Sequence, residues 1–62
     1  MSAPVVRVVR IRKGAKLLPA RYHGAQAVVL EERRLSFAPW LRVRFDDGHE
    51  QWVPVARTEE AS

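Results

Sequence analysis

Apolar and polar residues alternate most strictly between Trp40 and Phe45. Leu41, Val43 and Phe45 fall on one side, and Trp40, Arg42 and Arg44 on the other. A period of two is the mark of a strand with one face buried. Asp46-Asp47-Gly48 follows as a hairpin turn, and residues 49–55 return, with Pro54 near the end. The loop length decides the faces. A two-residue turn at Asp47-Gly48 would place Glu50 among the apolar side chains. A three-residue turn with a left-handed Gly48 shifts the pairing by one, so that Val53 and Val55 join Leu41, Val43 and Phe45. Glu50 and Trp52 then join Arg42 and Arg44 outside. Since a one-residue slip exchanges the two faces, the three-residue turn is predicted.

Elsewhere the alternation is looser. Residues 5–12, Val-Val-Arg-Val-Val-Arg-Ile-Arg, are β-branched but carry charge on both sides, which predicts an edge strand or an ordered arm. Lys13-Gly14-Ala15 reads as a turn. Pro19 reduces residues 16–22 to an edge or irregular strand, and His23-Gly24 breaks the chain again. Residues 26–34 begin apolar and end charged. Their Ala, Leu, Glu and Arg content suits a helix, but the Val28-Val29 pair and short length favour a strand. Residues 35–39 read as a loop. Residues 1–4 and 59–62 read as frayed ends around one domain spanning 5–58. About five short strands with turns between them and no secure helix predict an all-β small barrel with a basic N-terminal strand or arm.

Sixty-two residues make one domain with a small core. There is no cysteine, so neither a disulfide nor a thiolate metal site contributes. His23 and His49 alone are too few for a zinc site, so no metal and no cofactor are expected. No stretch approaches the length of a membrane-spanning helix, and the chain reads as cytoplasmic with no membrane partner.

Charge changes the picture. The net charge is +4, and residues 1–21 hold Arg7, Arg10, Arg12, Lys13, Lys16 and Arg21 with no acid. Nine of the eleven basic residues are arginine, whose planar fork matches phosphate. This predicts a polyanionic partner, with Arg7, Arg10, Arg12, Lys13 and Lys16 contacting the backbone of DNA or RNA. Arg42, Arg44 and Trp52 would add a stacking surface on the outer hairpin face. The plainer alternative is a charged edge that discourages sheet-to-sheet aggregation. Tyr22, Trp40 and Trp52 make a candidate aromatic surface, with Phe37 a fourth ring for an aromatic cage, against the ordinary use of aromatics as core. Asp46 and Asp47 read as turn formers rather than an acid–base pair, and both histidines read as exposed loop residues.

The run from Lys13 to Glu59 resembles the SH3-like barrels of the Tudor and KOW type. The resemblance rests on Ala20-Arg21-Tyr22-His23-Gly24 before Ala27-Val28-Val29-Leu30-Glu31. It continues through Leu41-Arg42-Val43-Arg44-Phe45-Asp46-Asp47-Gly48 and Val53-Pro54-Val55. It implies an SH3-like barrel in which a Val-Pro step precedes a short helical turn. Many unrelated barrels share these features. More locally, Gln51-Trp52-Val53-Pro54-Val55-Ala56 is similar to a segment of the type II dihydrofolate reductases, tetrameric barrels in which Gln51 would match a substrate-contacting glutamine. Val53 stands where that family has a tyrosine. The sequence therefore favours a non-enzymatic nucleic-acid-binding module. The alternatives are a protein-binding or self-assembling module and, remotely, a reductase.

Overall fold

A computed structural model describes residues 6–61, and these form one five-stranded antiparallel sheet. The strands are β1 (Val8–Ile11), β2 (Gln26–Leu35), β3 (Ala38–Phe45), β4 (Glu50–Pro54) and β5 (Thr58–Glu60). They lie in the order β4-β3-β2-β1-β5. Two short 3-10 turns, Ala20–Tyr22 and Val55–Arg57, lead into β2 and β5, and no α-helix occurs among the described residues. The all-β expectation is met. The expected frayed segment at 1–4 lies outside the described residues.

The β3–β4 hairpin adopts the register that the alternation demands. Leu41 pairs with Val53, Arg42 with Trp52, and Arg44 with Glu50. Phe45 N–H donates to the His49 carbonyl at 2.9 Å, closing a three-residue turn, and Gly48 sits at φ +89°. An L-residue rarely adopts that conformation, and glycine does so freely. Leu41, Val43 and Val53 are fully buried as a result.

The β2–β3 hairpin departs from expectation. Residues 35–39 are not an open loop, because Leu35 pairs with Ala38 across a two-residue turn, Ser36-Phe37. Ser36 takes the positive φ (55°) that such a turn requires. A bulge between Val29 and Glu31 reorders the faces. Before it, Ala27 and Val29 face Phe45 and Val43; after it, Glu31 and Arg33 pair with Arg42 and Trp40.

β1 is also not the edge strand that its charge pattern predicts. It pairs with β2 through Val9 and Ala27 and with β5 through Ile11 and Thr58. Val9 and Ile11 are buried while Arg10 is exposed. The core lies against one face of the sheet while the other meets water, and charge on the wet face does not prevent pairing on both sides of a strand.

Residues 16–22 are not a strand. Ala15 and Leu18 turn inward, and Pro19, with φ −56°, leads into the first 3-10 turn, where Tyr22 is buried. Together with Val9, Ile11, Ala27, Leu41, Val43, Phe45 and Val53 they complete the core. The sheet also runs past residue 58, where a frayed tail was expected. Thr58 is buried and its hydroxyl donates to the Val55 carbonyl at 2.8 Å, and Ala61 N–H donates to the Val8 carbonyl at 2.9 Å. Polar residues fit there because only Thr58 meets the core, while Glu59 and Glu60 are exposed.

Candidate functional site

Trp52, Arg42 and Arg44 share the outer face of β3 and β4, as the register requires. The face is not free, however. Arg42 Nη1 donates to Glu50 Oε1 at 2.8 Å, and its Nε lies 3.4 Å from Glu31 Oε1. Arg33 Nε donates to Glu31 Oε2 at 2.7 Å, and its guanidinium carbon lies 5.8 Å from the centroid of the Trp52 ring. An alternating ladder Arg33–Glu31–Arg42–Glu50 thus crosses three strands, with the Trp52 indole under Arg33. The charge of Arg42 is compensated on both sides. Among the described residues, only Arg44 of the expected trio is exposed and without an ion pair.

The N-terminal cations divide in the same way. Arg7 Nε donates to Glu60 Oε1 at 2.6 Å, and its Nη1 donates to Glu32 Oε1 at 2.8 Å. The Glu60 hydrogen bond, opposed by burial and aided by Glu32, raises the guanidinium pKa above its ordinary value. Arg7 therefore ties β2 to β5 and is engaged within the fold. Arg10, Lys13 and Lys16 are exposed and make no ion pair among the described residues. Arg12 is exposed as well. Its Nε donates to the Thr58 carbonyl at 3.4 Å and its backbone N–H to the Arg57 carbonyl at 2.9 Å. Arg57, also exposed and without an ion pair among the described residues, is thereby set beside Arg12. Its position was not legible in the sequence, because it depends on β5 returning along β1.

The aromatic residues do not converge. Tyr22 belongs to the core, with its ring centroid 4.2 Å from that of Phe45 and 5.2 Å from that of His49. Its hydroxyl donates to Asp47 Oδ2 at 2.6 Å and accepts from Arg21 Nη2 at 3.3 Å. Tyr22 is therefore removed from any surface shared with Trp40 and Trp52, which lie half-buried on the outer face. Phe37 stands apart at the tip of the β2–β3 hairpin, 96% exposed. The Tyr22 hydrogen bond, followed by that from the His49 N–H, holds the Asp47 carboxyl below its ordinary pKa. The same His49 N–H bond, at 2.9 Å, makes Asp47 a turn former. Beside this cluster lies an open pocket of about 440 Å³, lined by Arg21, Tyr22, Ala25, Gln26, Phe45, Asp46 and Asp47.

His23 is not the exposed loop residue expected. Its Nδ1 accepts the Gly14 N–H at 3.3 Å, so the proton on Nε2 points to the carbonyls of Ala15 (2.8 Å) and Leu18 (3.1 Å). It gathers the covering segment into shape. His49 is exposed, as expected, but stacks on Tyr22. Gln51 is committed at both ends, donating to the Leu17 carbonyl at 3.1 Å and meeting His49 Nε2 at 2.9 Å. Among the described residues no three His, Asp or Glu side chains gather as a metal site, and no helix is long and apolar enough to cross a membrane.

No family model, curated protein or solved structure matches the chain.

Proposed function

We propose that the protein is a small nucleic-acid-binding module of the cytoplasm, built on an SH3-like barrel plan and acting by binding rather than catalysis. The barrel reading is supported by the order β4-β3-β2-β1-β5 and by the 3-10 turn after Pro54 that leads into β5. The binding reading rests on one observation above the rest. Arg12, just past the end of β1, and Arg57, the last residue of the second 3-10 turn, are joined through their backbones, both exposed, with no carboxylate bonded to either among the described residues. Like charges held on neighbouring residues repel. A phosphate between them turns that repulsion into attraction, and arginine forks suit it. Lys13 follows Arg12 directly, Lys16 lies three residues further on, and Arg10 precedes them on β1. Arg44 adds a separate contact two strands away.

Arg7 and Arg42 take no part in this grip, and Trp52 is not its stacking platform, because their outer surfaces are engaged by Glu32, Glu60, Glu31, Glu50 and Arg33. Such contacts favour any phosphate backbone and carry no base preference. The test is a heteronuclear NMR titration with a short oligonucleotide at low salt. Shifts are expected at the amides of Arg10, Arg12, Lys13, Lys16 and Arg57. Unmoved resonances at those positions would refute the proposal.

A further inference from the structure

The distal part of the β2–β3 hairpin stands clear of the other strands. Among the described residues β1 pairs with β2 only over Val28 to Gln26, and β4 meets β3 only from Trp40 onward. Residues 34–39 therefore form a two-stranded ribbon with no strand on either side. Pro39, which has no N–H to offer, fits such a free edge. From Arg33 to Arg44 the chain carries four arginines, two aromatic residues and no acid. At the end of the ribbon Phe37 is 96% exposed, with Leu35 partly exposed and Arg34 exposed without an ion pair among the described residues. The turn holds Ser36 at φ +55°, a conformation unfavourable for a residue with a Cβ, and so keeps Phe37 at the apex.

We infer that Phe37 is a base-stacking element, and that the ligand it selects is single-stranded nucleic acid. This rests on the phosphate-contact reading above. A ring exposed on both faces, on a ribbon whose Arg34 guanidinium makes no ion pair among the described residues, offers a stacking platform, and base–aromatic stacking tolerates any base. Arg34 supplies the neighbouring phosphate contact. In a duplex the bases are already stacked, and opening a step costs free energy that one ring does not recover. The unpaired strand is therefore the favoured partner.

The test compares wild type, Phe37→Ala, Phe37→Trp and an Arg12→Ala/Arg57→Ala double variant by fluorescence anisotropy. The probes are a labelled oligo(dT) of about 15 nucleotides, within the usual span of single-strand sites, and a duplex of the same length. Phe37 contributes nothing to the core, so Phe37→Ala is expected to melt like wild type. Its affinity for oligo(dT) is expected to fall about 5- to 150-fold, with little change for duplex and with recovery in Phe37→Trp. A Phe37→Ala affinity within about twofold of wild type, with binding lost in the arginine double variant, overturns the stacking role and leaves the phosphate reading standing. An equal loss on duplex overturns the single-strand selection. No binding by wild type at low salt overturns both.

Discussion

Replacing Val53 by alanine removes two methyl groups from a side chain with no solvent exposure, opposite Leu41 in the β3–β4 ladder. At about 0.8 kcal/mol per buried carbon, the lost transfer free energy is about 1.6 kcal/mol. A residual cavity of about 40 Å³ adds roughly 1 kcal/mol at ~24 cal/mol per Å³. The sum, about 2.5 kcal/mol, is large for a chain of this size, whose whole stability is on the order of 3–9 kcal/mol. It corresponds to a melting temperature lower by roughly 10–20 °C. Val53→Thr supplies a second measure of the same placement. It keeps the shape and buries a hydroxyl, at a cost of about 1–3 kcal/mol. Urea and thermal denaturation followed by Trp fluorescence and circular dichroism read both variants. Were the ribbon slipped by one residue, Val53 would face water and each change would fall within about 0.5 kcal/mol. That result would refute the register, and with it the outward placement of Arg44 and Trp52.

Ser36→Gly is expected to raise the unfolding free energy by up to about 1 kcal/mol, since glycine accepts the positive φ that serine tolerates poorly; a lower denaturation midpoint would contradict the turn geometry. Arg7→Met is expected to cost roughly 1 kcal/mol or less, as exposed ion pairs do, and to leave oligonucleotide affinity unchanged. A large loss of affinity would return Arg7 to the binding surface. Asp47 titrates below its ordinary value of 3.8 in the folded protein. Its ionised form therefore contributes stability above that value, which is lost as pH falls through the depressed folded pKa. Tyr22→Phe is expected to move the Asp47 titration upward in an NMR pH series and to weaken this acid dependence. An unmoved titration would show that the hydroxyl does not hold the carboxylate.

The β3–β4 hairpin was legible because alternation, a short turn and Gly48 constrain one another. Changing the turn length by one would have put Glu50 on the core side. The same logic failed for β1, where charge on both faces, Arg7 on one and Arg10 and Arg12 on the other, reads as the sign of an edge strand or an ordered arm. Charge reports which side of a strand meets water, not whether its backbone has neighbours, and β5 was hidden because Thr58-Glu59-Glu60 has almost no apolar signal. The connection from Lys13 to Ala25 misled for another reason. Its buried Ala15, Leu18 and Tyr22 are spaced three and four apart, as on a helix, but Gly14, Pro19 and Gly24 interrupt the segment, and hydrogen bonds to His23 and the 3-10 turn after Pro19 shape it instead. Of the candidate contacts, exposure of Arg10, Lys13 and Lys16 could be read from the charge run. The capture of Arg7 by Glu32 and Glu60 could not, because those acids lie 25 and 53 residues away in the chain.

The slope of binding affinity against salt concentration tests the polyanion reading most directly. If Arg10, Arg12, Lys13, Lys16 and Arg57 neutralise about four or five phosphates, log K for a single-stranded oligonucleotide falls against log salt with a slope near −3. The Arg12→Ala/Arg57→Ala variant is expected to flatten that slope by about 1.4. Binding that is insensitive to salt, or a slope the double variant leaves unchanged, would contradict the account.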